Sequence, residues 1–275
     1  MHDEDGHVGE RVAAAYDESS AEMFEQEGDR APMNTREDLT ESHAADTGVE
    51  QPLWLPVDPT PAPRPSRVTL DGRHVHVVPL DAAAHADELY LASHVAEKER
   101  LFLYLKEGPF PDRAAFRAHM DKCAASEDPL YFAILDAASG RPLGHATYMR
   151  IDPANRVIEV GGILFTPRLA GTTGATEAMY LMARHVFDDL GYRRYEWKCD
   201  ALNAPSRRAA IRLGFVYEGT FRHHMIIKGR NRDTAWYAML DADWPRLKAA
   251  FEQWLSPDNF DDDGRQRTSL GQRTM

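Results

Sequence analysis

Two stretches of the chain carry residue types suited to chemistry on a bound substrate. The first, VIEVGGILFTPRLAGTTGATEAMYLM, runs from Val157 to Met182. An apolar strand pattern leads into a turn of small and hydroxylated residues, and the turn opens a long helical pattern. The first N–H groups of a helix have no intrahelical partner and carry partial positive charge, so such a turn can cradle a phosphate or pyrophosphate. Gly171 and Gly174 let backbone approach a ligand, Thr172, Thr173 and Thr176 add hydroxyls, and Arg168 adds a cation. A plain strand-to-helix turn with threonine caps fits the same residues equally well. The turn is neither a Walker loop, since no Gly-Lys-Ser/Thr follows, nor a GxGxxG dinucleotide turn.

The second stretch, CDALNAPSRRAAIRLGF, runs from Cys199 to Phe215. A strand ends near Cys199, Asn203 stands where a helix N-cap is expected, and Ser206 falls in the first turn. Arg208 and Arg212, four apart, share a helix face and suit either a phosphate or surface carboxylates. Among isolated candidates, Glu159 on the strand before the glycine turn is either a general base or a strand residue paired with a neighbour such as Arg156. His74 and His76 share a strand face and His223 and His224 are adjacent, but no partner stands at a recognised ligand spacing, so no metal site is expected.

The elements that must position these residues follow from periodicity. Strands are expected at His74–Leu80, Leu130–Leu135, Leu143–Ile151, Val157–Phe165 and Arg194–Cys199, with a last pair at Phe215–Ile227 and Thr234–Leu240 around a turn at Gly229–Arg232. Helices are expected at Ala82–Val95, Asp112–Ala125, Thr173–Leu190, Ala204–Leu213 and Trp244–Leu255. Gly191 and Gly214 are placed to end two of them in the left-handed region. The order implies an α+β fold, and the pattern alone does not fix its topology.

Taken together, the two stretches and the order of elements over about residues 74–254 resemble the GNAT superfamily of acyl-CoA-dependent N-acetyltransferases. ATEA at Ala175–Ala178 and N-x-x-S…L-G-F at Asn203–Phe215 are most similar to its ribosomal-protein-alanine N-acetyltransferase branch. The resemblance implies a mixed, mainly antiparallel central sheet flanked by helices, with acetyl-CoA as cosubstrate in a cleft between the strands ending at Phe165 and Cys199. Its pyrophosphate would meet Gly171, Thr172, Thr173, Gly174, Ala175 and Thr176, with Arg168 nearby. Its pantetheine arm would meet backbone at Ile163, Leu164 and Phe165, and Asn203. The position of the family's usual tyrosine is Ala210 here, and the branch assigns the thiolate-partner role to the serine, Ser206. Glu159 occupies the position of the branch's glutamate and is the expected general base. A backbone N–H near Leu164 is the expected donor to the oxyanion, and His223 or His224 would border the acceptor. The family's loop usually reads Gln/Arg-x-x-Gly-x-Gly/Ala, and the matching positions here are Ala170, Thr173 and Ala175.

Composition narrows the rest. The 275 residues hold 32 Lys+Arg against 44 Asp+Glu, a net −12. Residues 1–66 alone hold 16 acids and four bases, so the remainder is neutral and the charge belongs to an extension. That extension, ending in QPLWLPVDPTPAPRPS with six prolines, is expected to be disordered with a stiff linker. Within it, Val12–Glu25 suits a short helix and faintly resembles the opening of class I methyltransferases. Residues 67–255 are expected to form the catalytic domain, and 256–275 a disordered tail. Neither part has the basic excess of a nucleic-acid binder, and no apolar run of bilayer-spanning length is present. The start MHDEDGHVGE lacks the features of a secretory signal. The two isolated cysteines, Cys123 and Cys199, suit a reducing compartment, so a cytoplasmic protein is expected, as a monomer or homodimer, and the resemblance implies that it acts on an amine. The acceptor is a protein or peptide N-terminus or a small-molecule amine. A peptide α-amine, with a reference pKa of about 8, needs less help from a base than a lysine at about 10.4. A non-catalytic acyl-CoA-binding module of the same fold is the alternative.

Overall fold

The computed structural model describes residues 55–274. The disordered arm and the short helix expected at Val12–Glu25 fall, for residues 1–54, outside the described residues. The chain from Pro59 onward forms one unit. It carries an eight-stranded sheet in the order β1-β2-β3-β4-β5-β6-β8-β7. The strands are β1 (Leu70–Asp71), β2 (Val75–Pro79), β3 (Leu130–Asp136), β4 (Pro142–Asp152), β5 (Val157–Phe165), β6 (Arg194–Asp200), β7 (Val216–Ile227) and β8 (Arg230–Leu240). All neighbours are antiparallel except β5 and β6. A mixed, mainly antiparallel sheet is therefore the observed architecture, and the helix between β5 and β6 is the crossover that a parallel pair requires.

Helices α1 (Ala82–Ser93), α2 (Lys98–Phe102) and α3 (Arg113–Ala125) precede β3. Then α4 (Thr173–Arg184) follows β5, α5 (Ala204–Arg212) follows β6, α6 (Trp244–Leu255) follows β8, and a single turn, α7 (Gly271–Thr274), ends the chain. Aspartates cap α1 and α3: Asp81 accepts from the amides of Ala83 and Ala84, and Asp112 from that of Ala115. Ala178, Met179 and Met182 of α4, and Val186 in the π-helical turn that follows at His185–Asp189, are buried in the core, where Tyr148 donates its hydroxyl hydrogen to the Met182 carbonyl. A smaller apolar cluster, built on Leu89, Phe116, Met120 and Ala133, seats α1 and α3 on the sheet.

Two expected boundaries change. Residues 59–66 form neither helix nor strand, but Ala62 is buried and its N–H donates to the Pro153 carbonyl at 3.0 Å. The stretch after Leu255 is not a free tail. Trp254 donates its indole N–H to Gln266 at 2.8 Å, and the buried Asn259 side chain donates to the carbonyls of Trp254 and Thr268. Leu270 is fully buried. A segment without periodicity is held by one amide side chain and one apolar anchor, a pattern that helix and strand templates do not register. Two short elements, β1 and α2, also went unpredicted because neither is long enough to show a period. Strand β8 begins at Arg230, inside the expected turn.

Candidate active site

The split in the sheet is the dominant feature around the predicted site. Strand β6 pairs with β5 only from Val157↔Arg194 to Val160↔Trp197. Beyond Val160, β5 bends at a bulge: His145 faces Leu164 while Thr147 faces Gly161, so two residues of β5 oppose Ala146 alone. Gly162 sits in this bulge at φ +54°, a backbone geometry that favours glycine. The β6-facing edge of residues 161–165, including Ile163, Leu164 and Phe165, therefore has no strand partner. Leu164 is buried, and Ile163 and Phe165 are half-buried.

At the head of that split α4 begins. Thr172 is its N-cap: the Thr172 hydroxyl accepts from the Ala175 N–H at 3.2 Å and donates to the Leu169 carbonyl at 2.7 Å. Gly171 has φ +76°, and a Cβ built there would touch nothing within 4 Å. The N–H groups of Gly171, Thr173 and Gly174 have no acceptor among the described residues. Orphaned amides at a helix start, with open space beside Gly171, fit the pyrophosphate of a CoA thioester, while Gly174 is itself buried against Val75. Two residues expected in this cradle are committed elsewhere. The Ala175 amide is used by the cap, and the buried Thr176 hydroxyl accepts from Arg212 at 3.1 Å. Arg212 itself lies over the Trp254 ring at 5.0 Å, which turns it toward α6. Arg168 is exposed on the turn.

Asn203 caps α5, accepting from the Ser206 N–H at 3.2 Å. Trp197 donates its indole N–H to Ser206 Oγ at 3.0 Å, which leaves the serine's own proton to be donated. The Cys199 thiol, pushed up by burial, is the neighbouring group.

Glu159 is neither exposed nor paired with Arg156. It is only 5% exposed, with Oε2 3.0 Å from Lys198 Nζ and 3.1 Å from Arg150 Nε. Lys198 also reaches Glu196 at 2.6 Å and lies over the Trp236 ring at 3.7 Å, and Arg194 bridges Glu196 to Glu218. Three carboxylates and three cations, drawn from β4, β5, β6 and β7, thus neutralise one another. Burial raises the Glu159 pKa, opposed by the charges of Lys198 and Arg150. The register puts Glu159 beside Glu196, and strand alternation then puts Glu159 and Lys198 on one face of the sheet and Trp197 on the other. A carboxylate thus stands on one face of the split, and the Trp197–Ser206 pair on the other.

Sequence reasoning missed Lys198, Glu196 and Arg150. The first two were signalled by the alternation in Arg194–Cys199, which places three charges on one face and Tyr195, Trp197 and Cys199 on the other. It also missed the role of Glu177. This buried carboxylate accepts from the amides of Arg73, His74 and Val75 at 2.9, 2.6 and 3.0 Å, tying α4 to the β1–β2 turn. No local pattern announces a contact across about a hundred residues.

The family model described as acetyltransferase (GNAT) domain matches residues 74–216. A GCN5-related N-acetyltransferase from Brucella melitensis is 51% identical, with 78% of this chain and 97% of that one covered and a TM-score of 0.77.

The chain belongs to the GNAT acetyltransferase family.

More distant structures share the fold. A ribosomal-protein-serine acetyltransferase-like protein from Vibrio cholerae is 14% identical, covering 63% of this chain and 97% of that one with a TM-score of 0.53. The microcin C7 self-immunity acetyltransferase MccE, in complex with acetyl-CoA and AMP, is 20% identical, covering 62% and 93% with a TM-score of 0.55. No curated protein matches the chain. Acetyl-CoA is the acyl donor of this GNAT enzyme. Among the described residues, no helix is long and apolar enough to cross a membrane.

Proposed function

We propose that this GNAT enzyme transfers the acetyl group of acetyl-CoA directly to a primary amine, with Glu159 as general base and Ser206 as partner of the departing thiolate. The observation that carries the reading is the Glu159 carboxylate, buried one residue before the last β5–β6 pair and held between Lys198 and Arg150. A carboxylate in that position takes the proton of an amine entering the split, directly or through one water. The amine nitrogen bonds to the thioester carbonyl carbon, the carbon–sulfur bond breaks, and the sulfur accepts a hydrogen bond from Ser206. The donor would be held by the amides of Gly171, Thr173 and Gly174 and by the unpaired edge of Ile163–Phe165, where a backbone N–H near Leu164 stabilises the oxyanion. Asn203 acts through the cap that sets the Ser206 position.

Placement in the ribosomal-protein N-acetyltransferase branch rests on ATEA and N-x-x-S…L-G-F. A cytoplasmic site of action fits the two free buried cysteines. The test is free-thiol release from acetyl-CoA across a panel of amines. Amine-dependent release that collapses in Glu159→Gln is the expected result. Donor binding without release for any amine, unchanged in Glu159→Gln, would establish the acyl-CoA-binding module instead.

A further inference from the structure

A cavity on the sheet near Lys198 plays no part in the proposed reaction. It has a volume of about 260 Å³ and is lined by Arg194, Glu218, Gly219, Phe221 and Trp236. Its aromatic wall is a pair of rings: the Phe221 and Trp236 centroids are 4.6 Å apart at 38°, and His224 packs against both from outside the lining, 5.6 Å from Phe221 and 5.9 Å from Trp236. Phe221 is 53% exposed. The polar lining is already satisfied, since Arg194 holds Glu218 through both guanidinium nitrogens and Glu196 through its Nε. No free charge is left in the wall to attract a charged ligand, so the occupant gains chiefly by burying an apolar, flat surface.

The cavity is one side chain away from Glu159. Trp236 and Glu159 are bridged by a single group, Lys198 Nζ, 3.7 Å from the ring centroid and 3.0 Å from the carboxylate oxygen. Lys198 fills that interval, so a molecule with a ring in the cavity and an amine on a two- or three-bond spacer would lie alongside the Lys198 side chain to bring its nitrogen toward Glu159.

Resting on the amine-transfer reading, we propose that the cavity walled by Phe221 and Trp236 is the acceptor-body subsite and that the acceptor is a small arylalkylamine. A peptide N-terminus with an aliphatic first side chain offers this wall only a polar amide plane, which loses its hydration on burial.

Calorimetric titration of the full chain with CoA present tests the subsite independently of turnover, using 2-phenylethylamine, n-butylamine and a tripeptide with N-terminal alanine. The ring amine should bind at least about tenfold more tightly than the other two, and Phe221→Ala should remove that advantage while leaving butylamine unchanged, as expected for loss of one buried aromatic face. Trp236→Phe, which keeps a ring, should retain most of it. Equal binding of all three, or an equal effect of Phe221→Ala on all three, overturns the proposal. Thiol release on the same panel separates the two readings. Ring-selective binding without release from any amine rejects amine transfer and keeps the subsite, whereas release with the tripeptide and no ring preference rejects the subsite and keeps amine transfer.

Discussion

Glu159 is a carboxylate that burial drives toward neutrality and two cations hold toward charge. Replacing it with glutamine removes the proton acceptor and should lower kcat/KM by about 10²–10⁴, the usual value of a positioned base, with acetyl-CoA affinity retained. Its environment sets a second outcome. Burial raises the Glu159 pKa and Lys198 opposes that rise, so removing Lys198 moves the pKa further up. A base must be deprotonated to act, and activity is lost as pH falls through its pKa. In Lys198→Met the acidic limb of the kcat/KM profile should therefore shift to higher pH. The same substitution leaves buried carboxylates uncompensated and should cost about 3 kcal/mol of stability, read by urea unfolding. A purely structural Lys198 would give the stability loss with an unmoved pH profile.

At the scale of elements, the start of α4 does two jobs. Its orphaned amides form the cradle, and Glu177, one turn further on, fastens the helix to the β1–β2 turn by three N–H bonds. Glu177→Ala leaves the buried Val75 amide without an acceptor and the half-buried Arg73 and His74 amides without theirs, and should destabilise the protein by roughly 1–3 kcal/mol, measured as a lowered urea midpoint. The open cradle responds differently. Gly171→Val places a branched side chain at φ +76° in the space beside the free amides. It should raise the KM for acetyl-CoA with little change in kcat, since donor binding and not proton transfer is affected. Thr172, Asn203 and the glycine ends of helices were legible in the sequence because caps are local. The partners of Thr176 and Ala175 were not legible there because packing sets them: Arg212 arrives from α5, and the cap hydroxyl folds back onto the Ala175 amide.

For the whole molecule, the C-terminal segment belongs to the folded unit. Ending the chain at Leu255 would expose Trp254 and remove Leu270, Asn259 and the Thr274 carbonyl, which accepts from Arg246 at 2.5 Å. Such a truncation should lower the melting temperature by several degrees, on the scale of a lost buried leucine together with its hydrogen bonds. An unchanged melting temperature would mark the segment as a free tail. The acidic excess of residues 1–66 lies mainly in residues 1–54, so the domain's own chemistry is that of a nearly neutral body with compensated buried charges.

The sequence by itself determined the α+β order of elements, the helix caps, the glycine turn at the head of α4 and the family. Each of these is written in contiguous residues, through periodicity, turn chemistry or a short motif. Only the tertiary structure decided where β5 and β6 part, which cations surround Glu159, and that Phe221 and Trp236 share a wall. Those relations join residues tens of positions apart, and strand register with side-chain direction fixes them; a one-residue slip of β6 would turn Lys198 away from Glu159 and bring Trp197 in its place.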